Sequence, residues 1–237
     1  MEDETPLEQL KAELLSLANP DKAKQLQGFF KTGKGEYAEG DKMLGITVPK
    51  QRNLIKNYFH LSIDEIEELL HGAFHEERLC ALLIMVHQFK KGNLDRQKSL
   101  FDLYLKNTRY INNWDLVDSS AEYIVGPWLE HKNKAILIDL AHSDSIWERR
   151  IAILSTFCYI KAGKAEWTLN IAKILLNDNE DLIQKAVGWM LREVGKRCSM
   201  IEEINFLEQH YKTMPRTMLR YAIERFDEIE RQRWLHK

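Results

Sequence analysis

Glycine and proline are scarce, 11 and 5 of 237 residues. That scarcity argues against loop-rich all-β folds, collagen-like architecture and disorder. No apolar run approaches 18 residues, so no membrane span is expected. The opening Met1-Glu2-Asp3-Glu4-Thr5-Pro6 has no apolar core, so no secretory leader is expected. There are three cysteines, Cys80, Cys158 and Cys198, odd in number and far apart. They fit buried free thiols in a reducing, cytoplasmic protein better than a disulfide framework or a zinc knuckle. Excess charge of one sign is lacking too, since the net charge is −2. A nucleic-acid binder is usually basic overall, which weighs mildly against one.

What is present is helical periodicity. Leu7, Leu10, Leu14, Leu15 and Leu17 mark a first helix, and Ile63, Ile66, Leu69 and Leu70 another. Ser62 with Glu65 three residues on spells a capping box. Segments 94–105, 135–140, 169–176 and 201–207 behave alike, and no period-2 strand stands out. Segment 28–49, with Gly28, Gly33, Gly35, Gly40, Gly45 and Pro49, breaks the pattern and reads as a loop or as short helices around one. A faint repeat places a small residue at Ala81, Ser119, Ala152 and Gly188. A two-helix unit of about 40 residues is the HEAT type, so stacked antiparallel helix pairs in an α-solenoid are expected. An irregular all-α globule is the alternative.

Several apparent motifs fail. Gly35-Glu36-Tyr37-Ala38-Glu39-Gly40-Asp41-Lys42 approximates a P-loop, but Asp41 stands where lysine is needed and the acidic residues would repel a triphosphate. His71 and His75 have metal-ligand spacing, but Gly72 interrupts the helix, so they read as exposed histidines near a helix end. No serine elbow or partnered cysteine nucleophile is visible.

Three segments look unlike ordinary solenoid packing. In Ile111-Asn112-Asn113-Trp114-Asp115-Leu116-Val117-Asp118-Ser119, Trp114 and Asp118 are four apart and share a helix face. In Trp147-Glu148-Arg149-Arg150, the adjacent arginines cannot both point into a core. In 185–193, Lys185, Trp189 and Arg192 lie along one side. Each has a plain structural explanation as well: core tryptophans, a capping aspartate, a paired arginine.

Taken together these segments resemble the AlkD-like family of DNA alkylation repair glycosylases, across nearly the whole chain. The most specific matches are Leu44-Gly45-Ile46 with Pro49 and Arg52, Trp114 to Asp118, Trp147 to Leu154, and Gln184 to Trp189. This chain has Asn113-Trp114 where the best-known branch has paired tryptophans, and its 31–43 segment is longer and richer in glycine. The resemblance implies one domain over 1–237, a right-handed α-solenoid of HEAT-like antiparallel helix pairs. It implies a glycosylase that removes cationic alkylated purines such as 3-methyladenine and 7-methylguanine in base excision repair. By the same resemblance Asp118 is the catalytic aspartate, with Trp114, Trp189 and Arg150 completing the site.

Such a base leaves as a neutral molecule, so no acid is needed to protonate it and one carboxylate suffices where glycosidases ordinarily use two. Asp118 would oppose the charge of the oxocarbenium-like sugar and orient the water, the tryptophans would contact the sugar, and Arg150 would hold a phosphate. Arg149, Lys185, Arg192, Lys196, Arg197, Arg216 and Arg220 are expected to line a DNA-tracking face, with Tyr37 reaching the strand from the 31–43 loop. Neither metal nor other cofactor is expected. The partner is double-stranded DNA carrying alkylated bases, met by a cytoplasmic monomer. A non-catalytic DNA-binding or protein-interaction scaffold is the competing reading, and excision by Asp118 is what separates them.

Overall fold

The computed structural model describes residues 4–236. These residues pack as two compact units that divide between Ser120 and Ala121, and they are helical, with no strand among them. No helix there is long and apolar enough to cross a membrane.

The first unit contains α1 (Pro6–Ser16), α2 (Pro20–Phe29), α3 (Val48–Leu54), α4 (Ile63–Leu70), α5 (His75–Lys91), α6 (Leu94–Lys106) and α7 (Trp114–Asp118). Helix starts follow from local chemistry. Thr5 and Ser62 each form a full capping box, with Glu8 and Glu65 respectively. Asn19 and Asn93 cap α2 and α6 through their side-chain oxygens. Leu7, Leu10 and Leu14 are buried as the spacing predicts, whereas Leu15 and Leu17 face outward. The central helix is α5, buried from Leu79 through Met85, with α4 and α6 packed on it.

The second unit contains α8 (Ala121–Leu129), α9 (Ala135–Ala141), α10 (Ile146–Ser155), α11 (Phe157–Lys161), α12 (Glu166–Ile174), α13 (Asp181–Arg197), α14 (Met200–His210), α15 (Arg216–Ala222) and α16 (Glu228–His236). Neighbours in sequence pair, α9 with α10 and α12 with α13, and their short connections turn the chain back on itself. One of the small repeat residues, Gly188, has a steric reason. A Cβ on Gly188 of α13 would run into the Met218 carbonyl and Tyr221 of α15. Gly126 of α8 lies equally tight against the Ser155 carbonyl of α10. Ala81 and Ala152 are fully buried in α5 and α10.

Segment 30–47 is a run of turns ahead of α3, while Gly28 belongs to α2. Gly35, Gly40 and Gly45 adopt positive φ there. The Gly33 and Gly35 N–H groups donate to the Glu36 and Glu39 carboxylates, so acidic side chains of the loop itself occupy donors that a phosphate would need. All three cysteines are free thiols; Cys80 is buried, but Cys158 and Cys198 are only half-buried, short of the expected full burial.

Candidate active site

The expected site residues divide between the two units. In the first, Trp114 and Asp118 are the opening and closing residues of α7, one helical turn apart and both half-buried. Asn113 caps that helix, its Oδ1 accepting from the Trp114 N–H at 2.8 Å. The residue that departs from the paired tryptophans therefore has its own task, fixing where the helix begins. Asp118 lies near the fully buried Tyr104. Burial drives the Tyr104 hydroxyl's pKa upward, the Ser120 hydrogen bond at 2.9 Å opposes the rise, and the Asp118 charge adds to it.

Trp114 stacks on Phe30, ring centroids 5.4 Å apart at 30°, and meets Phe29 edge-on at 5.9 Å. Phe30 also lies 4.9 Å from the His75 ring. His75 contradicts the expectation of an exposed helix-end histidine: it is 3% exposed. Its Nδ1 sits 3.0 Å from Asp41 and its Nε2 2.8 Å from Asp115, and Arg78 pairs with the other oxygen of Asp41. Burial alone would lower the histidine's pKa. Hydrogen bonds to Asp115 and Asp41 outweigh it and raise the value to about 9, so the ring is an imidazolium. Burial would likewise raise Asp41, but the His75 hydrogen bond and the Arg78 charge hold it below the usual carboxylate value. His71 is exposed as expected, with its ring stacked on Tyr110 and bonded to Asn107.

Beside this cluster Glu76 is buried, and its carboxylate accepts the N–H groups of Leu44, Gly45 and Ile46 at 2.8, 2.8 and 3.2 Å. Gly45 is required there twice over. Its φ is 82°, and a Cβ would strike the backbone of Asn19 and Ala23. Among the described residues, no group of three or more His, Cys, Asp or Glu is disposed to hold a metal ion.

In the second unit, Trp189 is half-buried on α13 and meets Phe157 edge-on at 5.6 Å. Arg150 is 5% exposed, and its Nη1 donates to the Leu182 carbonyl at 2.6 Å. Arg149 bridges to Asp178 at 2.7 Å and donates to the carbonyls of Ser143 and Asp144. The adjacent arginines are thus both largely covered, against the expectation that one must point away. Lys185 pairs with Asp181, Arg192 with Glu224 and Glu193, and Arg197 with Glu193. Arg216 is exposed and donates to the Leu235 carbonyl, while Lys196 and Arg220 are exposed. Tyr37 is half-buried in the turns of the first unit.

Sequence reasoning missed the His75 cluster and the phenylalanines against Trp114. The hydrogen bonds of His75 join residues 34 and 40 positions apart, and no local pattern announces such partners.

A family model described as DNA alkylation repair enzyme matches residues 10–226. No curated protein matches the chain. A solved structure from Enterococcus faecalis, described as a predicted DNA alkylation repair enzyme, superposes with a TM-score of 0.69 at 15% identity, covering 89% of this chain and 97% of that one. The fold is therefore all-α and α-solenoid-like.

Proposed function

Because the chain belongs to the DNA alkylation repair enzyme family, we propose that it is a DNA glycosylase hydrolysing the N-glycosidic bond of cationic alkylated purines, 3-methyladenine and 7-methylguanine, in double-stranded DNA. The observation that carries this reading is α7 itself. A single turn sets a half-buried carboxylate, Asp118, on the same short helix as an indole held by Phe29 and Phe30.

A purine methylated on the ring carries positive charge and departs neutral, so its departure needs no proton donor. What the enzyme supplies is stabilisation of the positive charge that develops on the sugar, and a water aimed at the anomeric carbon. An ionised Asp118 does both. Because it is fixed at the end of a helix, little reorganisation is needed as the bond breaks. Trp114 lies one helical turn away on the same helix, and an indole favours a nearby cation. Arg150 ties α10 to the first turn of α13, the helix that carries Trp189. With so little of it exposed, Arg150 acts in this reading chiefly by positioning Trp189.

The test is single-turnover release of 7-methylguanine from a defined duplex. Asp118→Asn keeps the shape and loses the charge, so DNA affinity should persist while the rate falls roughly a hundredfold or more. Equal rates for the two proteins would overturn the reading.

A further inference from the structure

α7 is five residues long, too short to hold its own place. Leu116 and Val117 bury its inner side, but apolar contact is non-directional and does not fix how far the helix slides or turns. Direction comes from Asp115. Its Oδ1 accepts the Leu116 N–H at 2.9 Å, and its Oδ2 accepts from His75 Nε2 at 2.8 Å. One carboxylate thus joins the backbone in the first turn of α7 to the first residue of α5. Asp115 and Asp118 stand three apart, about 4.5 Å along the helix axis, so what sets the one sets the other.

His75 is held in turn from its other side. Its Nδ1 donates to Asp41 at 3.0 Å, its backbone N–H donates to the Lys42 carbonyl at 2.8 Å, and Arg78 takes the second Asp41 oxygen. Two cations and two anions balance within this cluster, and the neighbouring Glu76 is occupied by the amides of residues 44–46. Only a doubly protonated ring donates to two carboxylates at once, because a neutral one aims a lone pair at one of them. Phe30 adds a second link, since its ring lies against those of both His75 and Trp114.

We propose that His75 is a positioning residue for base release, holding Asp118 in place through Asp115 and Trp114 in place through Phe30. The proposal rests on the glycosylase reading given above and gives a buried side chain a part in the rate. A displacement of about 1 Å in a reacting group costs on the order of a hundredfold. The sign of the effect separates positioning from charge. Taking a cation away from a site where positive charge develops would, by electrostatics alone, speed the reaction. Losing the tether slows it.

The test compares wild type, His75→Gln, Asp115→Asn and the double variant. Single-turnover release of 7-methylguanine at saturating protein should fall roughly ten- to a hundredfold in each single variant. Affinity for a duplex carrying an abasic analogue should not change. The double variant should be no slower than the slower single one, because both substitutions cut the same bond. Amide exchange in the DNA-free protein gives a readout independent of activity. The Val117 and Ser119 N–H groups, bonded to the Asn113 and Asp115 carbonyls, should exchange about tenfold faster in His75→Gln, with those of α13 unaltered. Release as fast as wild type, or faster, in folded His75→Gln overturns the proposal. So does a multiplicative loss in the double variant, or unaltered exchange in α7. Asp115→Asn carries the same comparisons should His75→Gln not fold. If the wild type releases no base while the α7 amides loosen, the glycosylase reading fails and the tether stands. If the wild type releases base while neither substitution alters rate or exchange, the tether alone fails.

Discussion

Two buried titratable groups set how stability responds to pH. His75 is raised from about 6.5 to about 9 against the opposing pull of burial, because Asp115 and Asp41 both accept from it. A raised histidine contributes fully below its unfolded value, and the contribution drains away as pH climbs through the folded value. Glu203 in α14 is pushed up to about 8, chiefly by burial, with Arg192 pulling weakly the other way. Its unfolded counterpart ionises near 4.5, so keeping it protonated in the fold costs more with each step from there toward 8. Both effects have the same sign. The melting temperature should fall by several degrees, roughly, between pH 6 and pH 9.5. In Glu203→Gln the fall should be shallower, since an amide does not titrate. A flat or rising profile for the wild type would contradict the environments of both residues.

At the scale of the element, most of the helices were legible because their causes are local. The capping box at Ser62 and the apolar spacing of α4 lie within one stretch of chain, and the structure reproduces both. What was not legible depends on remote partners. The burial of His75 depends on Asp41 in a turn and Asp115 in α7. The expected basic face of α13 set only Glu193 against its cations, whereas Asp181, Glu193 and Glu224 all pair with Lys185, Arg192 and Arg197. The tandem arginines misled for the same reason, since Asp178 and backbone carbonyls satisfy them. Of the small residues in the expected repeat, Gly188 marks the close approach of α13 to α15. Gly188→Ala adds one methyl where the facing atoms are backbone and a Cβ. It should cost roughly 1–3 kcal/mol by denaturant titration, despite the better helix propensity of alanine. A stabilised variant would show that the contact yields easily.

For the molecule as a whole, net charge says little about DNA affinity, because what counts is which cations are free to meet phosphates. In the first unit Lys22, Lys24, Lys34, Lys42, Lys50 and Arg52 have no ion pair among the described residues. In the second, Arg149, Lys185, Arg192 and Arg197 are already paired. Each phosphate contact contributes about 0.9 to the magnitude of the log–log salt slope. Replacing Lys50 and Arg52 together by alanine should therefore flatten the slope for duplex binding by nearly two. Arg149→Ala should leave the slope in place and lower thermal stability, since it strips Asp178 of its partner. An unchanged slope in the first variant would remove Lys50 and Arg52 from the DNA contact.

The three amides held by Glu76 carry a consequence for the motions of the chain. Residues 44–46 form no helix, and an irregular stretch ordinarily surrenders its amide hydrogens to solvent deuterium quickly. Here the acceptor for all three is a single side chain rooted in the first turn of α5. Their exchange should therefore be slow and governed by one shared opening event. The three hydrogens are released together when α5 and its carboxylate draw back, so a segment without regular structure reports the lifetime of the central helix of its unit.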